Sequence, residues 1–164
     1  MKKFLFLPFL LAVLLVISAC SQSPKSSANL ELQADIVRGS SAPLGPVCAD
    51  VTQLAAGETA VPRVKVIDPS TGKELSGNDT KSVVWHLEDG QSFPMSYAGH
   101  GGNKTNGTPP TDYFWTAGWT IPANYHTGTV KWWVTAESKD GRTGRYDPIN
   151  MAASMLTIIQ KPAK

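Results

Sequence analysis

The sequence is poor in cysteine, with only Cys20 and Cys48 in 164 residues. A fold stapled by several disulfides is therefore excluded. Surplus charge is scarce too. The formal net charge is +2, and Lys2 and Lys3 stand at the very start, ahead of an apolar run from Phe4 to Ile17. With residues 1–19 set aside, the 15 cations less those two leave 13, against 13 acids in the other 145 residues. A basic nucleic-acid binder is excluded on that balance. The apolar run is shorter than the ~20 residues that span a bilayer and is interrupted by Pro8. No segment carries a convincing helical repeat. Gly-rich phosphate loops, nucleophile elbows, Cys-pair metal sites and haem attachment motifs are all missing, as is a carboxylate pair placed for hydrolysis. No enzyme class and no cofactor is indicated.

What is present begins with an export signal. Lys2-Lys3, the apolar run and then Ile17-Ser18-Ala19-Cys20 have the order of a secretory signal peptide. The last four residues resemble the lipobox of bacterial lipoproteins. The resemblance implies cleavage before Cys20 and lipidation of its thiol. Ser21 stands where an inner-membrane retention signal would place Asp, which implies an outer-membrane destination facing the periplasm. An acylated Cys20 leaves Cys48 with no partner inside the chain, either buried or paired between chains.

Residues 21–29 are small and polar and read as a tether. Leu30 to Val37 reads either as a first short strand or as more tether, and Gly39 to Pro46 is linker-like. The expected organisation is a signal peptide over 1–19, a lipidated cysteine and flexible tether over 20–46, and a folded domain over 47–164. Within that domain strand signals alternate with turns. Val64 and Val66 share one face of 61–67, Val83, Trp85 and Leu87 one face of 82–88, and Val130, Trp132, Val134 and Ala136 one face of 129–137. Residues 92–97, 112–121, 142–146 and 155–160 add strand material. Asp68 to Lys73, Asp89-Gly90 and Asp140-Gly141 supply turns. The pattern predicts an all-β antiparallel sandwich or barrel with Trp85, Trp115 and Trp132 in its core. The segment Trp119 to Val130, continuing through Val134-Thr135-Ala136 to the Asp140-Gly141 turn, is similar to the closing strands of bacterial immunoglobulin-like domains. That resemblance implies an immunoglobulin-like sandwich and says little of function.

Two site readings follow. Aromatic side chains crowd between residues 93 and 133. They are either core or a binding platform for an envelope protein or a glycan, with Trp133, Trp119, Tyr113 and His100 as the candidate contacts. Trp133 falls on the face opposite Trp132 and would be exposed unless the 98–111 loop covers it. The alternative is a soft copper site for metal handling or electron transfer, from Met95, His100 and His126 or Met151. The expectation is a non-enzymatic, lipid-anchored envelope protein that binds another envelope protein or a glycan.

Overall fold

The computed structural model describes residues 29–39, 47–101, 105–149, 151 and 154–161, with only the backbone of 47–49. Cys20 and the side chain of Cys48 lie outside the described residues. Among those described the chain is all-β, without an α-helix.

One sheet is built on β4 (Thr59–Asp68). It pairs with β1 (Glu31–Arg38) on one side, and β2 (Val47–Asp50) extends the edge. On the other side lie β9 (Asp112–Thr116) and then β8 (Ser96–His100), while β5 (Lys73–Glu74) and β10 (Trp119–Thr120) pair with the two ends of β4. Pro62 sits in β4 between the residues paired with β10 and those paired with β9. A strand-interior proline, which lacks a ladder donor, fits such a break.

The facing layer has two parts. A four-stranded sheet has the order β13 (Thr143–Tyr146), β12 (Trp132–Ser138), β6 (Thr80–Leu87), β7 (Ser92–Pro94). A three-stranded sheet has the order β11 (Gly128–Val130), β14 (Leu156–Ile159), β3 (Gln53–Ala55), with β3 parallel to β14. β11 runs into β12 with a break only at Lys131. The arrangement is that of a β-sandwich. Alternation fills its core as the sequence predicts: Val64, Val66, Val83, Leu87, Val134 and all of Trp85, Trp115 and Trp132 are buried. The Asp89-Gly90 and Asp140-Gly141 turns form, each with glycine at positive φ (92° and 88°).

Three expectations change. β1 is a strand of the main sheet along its whole length, so the folded unit reaches back to Leu30 rather than starting near Val47. The Leu30 N–H donates to the Thr143 carbonyl at 2.8 Å, joining the two layers at one edge. The single strand expected over 92–97 divides into β7 and β8, which belong to different sheets, with buried Met95 at the crossing. The aromatic strand expected over 112–121 divides into β9 and β10.

The two ends of the sandwich are distinct. At one, the 68–73 and 138–142 turns meet through Arg142 Nη1 and Asp68 Oδ2, 2.9 Å apart, beside Leu30. At the other, Tyr125 donates from its hydroxyl to Asp89 at 2.8 Å.

Candidate functional site

The site grows out of a gap in strand pairing. β12 pairs with β13 only from Val134 onward, and β11 pairs with β14 only up to Val130. Residues 131–133 therefore have no ladder partner on that side among the described residues, and Asp147, Pro148, Ile149 and Met155, between β13 and β14, lie beside the gap. The break at Lys131 is held from the opposite side. Glu88 donates its N–H to the Lys131 carbonyl at 3.0 Å, and its carboxylate accepts the Lys131 N–H at 2.9 Å. A cavity of about 370 Å³ occupies the gap. Val130, Trp133, Pro148, Ile149 and Met155 form its apolar wall, and Glu88, Lys131, Arg145 and Asp147 its charged rim. Ile149 is 62% exposed and Met151, two residues on, 58%. Ile149 is thus a large apolar side chain left open in the wall of the cavity.

Trp133 is half-buried, and its surroundings fix it. His86 of β6 is its cross-strand partner, and the imidazole stacks on the indole with centroids 5.3 Å apart and planes 12° from parallel. Both imidazole nitrogens are engaged: Nδ1 lies 2.9 Å from Ser92 Oγ and Nε2 2.9 Å from Thr135 Oγ1. Burial, and secondarily the Arg145 charge, hold the His86 pKa below the ordinary imidazole range, so the ring is neutral at neutral pH. From β13, on the other side of β12, Arg145 places its guanidinium carbon 4.9 Å from the indole centroid. Asp147 holds that guanidinium through two bonds of 2.6 Å. Groups from strands on opposite sides of β12 thus occupy both faces of the indole. A sugar ring stacks on a free aromatic face, and His86 and Arg145 already pack against the indole of Trp133. Its cover comes from His86 and Arg145, and the paired strands β8 and β9, which flank the 98–111 loop expected to cover it, belong to the other layer.

The remaining candidates do not join this site. Trp119 is only 4% exposed, edge-on to Trp85 and Tyr125 with centroids 6.2 and 4.9 Å away. Pairing of β10 with β4 turns its ring into the core, so it is no surface contact. Tyr113 is 42% exposed but lies in the other layer, stacked on Tyr97. His100 is also there, opposite Asp112 and edge-on to Phe114. The copper set does not converge either. Met95 is buried in the core, His100 sits on β8, His126 stacks on Tyr125, and Met151 is exposed in the segment that follows β13. No group of three or more His, Cys, Asp or Glu side chains among the described residues could hold a metal ion.

Sequence reasoning placed Trp133 on the outward face but missed His86 and Arg145 as its covers, and Ile149 and Met151 as the open apolar pair. A signal for the last two was present: isolated large apolar residues in an otherwise irregular stretch after Asp147-Pro148.

No protein-family model matches this chain, and no curated protein or solved structure matches it significantly.

Proposed function

We propose that this protein is a non-enzymatic, lipid-anchored protein of a bacterial envelope whose immunoglobulin-like domain docks another envelope protein at the cavity beside Trp133. The observation that carries the reading is the pairing gap at 131–133, walled by apolar side chains that include the exposed Ile149. Fully burying such a side chain contributes about 1.5–3 kcal/mol, so a partner that covers Ile149 gains a useful share of a binding energy. Of the two partner classes, a protein is favoured over a glycan, because both faces of the Trp133 indole are already covered. Binding is favoured over catalysis because the rim groups are committed: Arg145 to Asp147, and the Glu88 carboxylate to a backbone N–H. The lipid anchor and the outer-membrane, periplasm-facing location rest on the lipobox resemblance at Cys20 and on Ser21 after it. The immunoglobulin-like reading draws support from two antiparallel layers with an added parallel β3–β14 pair.

The test is affinity capture from solubilised envelopes with the native protein, Ile149→Asp and Tyr113→Ser. The native protein and Tyr113→Ser should retain one common partner, and Ile149→Asp should lose it while melting like the native protein. Retention of that partner by Ile149→Asp would refute the site.

A further inference from the structure

The folded unit starts much closer to Cys20 than the sequence pattern indicates. Leu30 and Leu32 are 5% and 7% exposed, and Leu30 is bonded to Thr143 across the layers. Gly144 permits this closeness, because a Cβ there would lie 2.5 Å from Leu32 Cδ1 and 2.6 Å from the Leu30 carbonyl oxygen. Nine residues, 21–29, then separate Cys20 from Leu30. Fully extended, nine residues span only ~30 Å, whereas a tether running to residue 46 would reach ~90 Å.

The place where the chain enters matters as much as the length. Leu30 enters at the end of the sandwich that carries the Asp68–Arg142 pair. The cavity lies near the other end of β12, and the seven residues from Trp132 to Ser138 rise by ~20 Å. A lipid on Cys20 therefore keeps the cavity within ~50 Å of the bilayer, the sum of a ~30 Å tether and a ~20 Å strand. Charges at the entering end are largely matched. Lys73 pairs with Asp79 at 3.0 Å, Lys81 with Glu137 at 2.9 Å, and Arg142 with Asp68 and Asp140 at 2.9 Å each. Such an end has little net charge with which to bind or repel headgroups, so the tether alone directs it.

We infer that the partner of the Trp133 cavity is itself a protein held in the same membrane, met by a domain whose Asp68–Arg142 end faces the bilayer and whose opposite end faces away. This rests on the lipid-anchored docking reading above. Confinement of both proteins to one surface then supplies the encounter, as a tether does in any linked pair.

Two measurements test it. In the first, the full lipid-bearing chain, in a Cys48→Ser background, carries a donor fluorophore at Lys139→Cys or at Asn124→Cys. It is reconstituted on phosphatidylethanolamine–phosphatidylglycerol vesicles containing an acceptor-labelled headgroup. Transfer should be at least twofold greater from position 139 than from 124, and unchanged between low and high salt. Equal transfer, or more from 124, overturns the orientation. Failure of the chain to float with vesicles overturns the lipid reading itself, and the inference with it. In the second, capture of the partner through position 149 in cells is compared between the native chain and Cys20→Ala. Yield should fall tenfold or more in Cys20→Ala, with the remaining adduct in the membrane fraction. An undiminished, soluble adduct overturns the shared-membrane claim while leaving the docking site intact.

Discussion

Gly144 lies directly under Leu30, so closely that a β-carbon at Gly144 would stand 2.6 Å from the Leu30 carbonyl oxygen. The contact joins the first described strand to the edge of the opposite layer. Gly144→Val should destabilise the domain by about 1–3 kcal/mol, the usual cost of forcing extra volume into a packed site. Denaturant melts of the two proteins check this. An unchanged midpoint would mean that Leu30 and Leu32 are free to move aside, and that the folded unit starts later than Leu30.

Trp132 and Trp133 are neighbours with different duties. Trp132→Ala should cost about 3–5 kcal/mol, because that ring is 4% exposed in the core. Trp133→Ala removes a half-buried ring stacked on His86 and should cost clearly less. The same melts give both values, and equal losses would contradict the division of the two faces.

His86 predicts a pH dependence whose sign is determined. Its pKa is lowered on folding, so the unfolded chain takes up the proton first. The His86 contribution to stability is complete above the ordinary imidazole value of about 6.5. It declines as pH falls from there toward the lower folded value. His86→Gln should flatten this part of the stability curve. A native curve that rises as pH drops through 6 would contradict the neutral, stacked imidazole.

Asp68 governs a more acidic window. The Ser70 hydroxyl, and next the Arg142 guanidinium, pull its pKa down to about 2. Its contribution is therefore present above the ordinary carboxylate range near 3.9 and is lost as pH falls toward 2. Asp68→Asn should weaken the fold at neutral pH and reduce the steepness of acid unfolding below pH ~4. Acid titration followed by tryptophan fluorescence reads both effects.

The sequence was legible where one face is buried and the other wet. β4, β6 and β12 announce themselves because Val64-x-Val66, Val83-x-Trp85-x-Leu87 and Trp132-x-Val134-x-Ala136 alternate cleanly. β1 was ambiguous. Leu32 and Ile36 are buried, but so is Val37, and small Ala34 between them carries a weak signal. Polar linker-like residues also bracket the strand. The site was harder to read than the core. Trp133 could be placed outward from alternation alone, yet its pairing with His86 depends on the register between β6 and β12, which turn lengths and packing determine. The gap at 131–133 depends on where β13 ends and β14 begins, and no periodicity encodes that.

Contact mapping in living cells bears most directly on the docking cavity. A photoreactive residue is placed at Ile149, at Lys131 and, as controls, at Tyr113 and Asn124 of the full chain. The account predicts the same discrete adduct from positions 149 and 131, lost when Trp133→Ala is added, and none from 113 or 124. Adducts from 113 or 124 with none from 149 would contradict it.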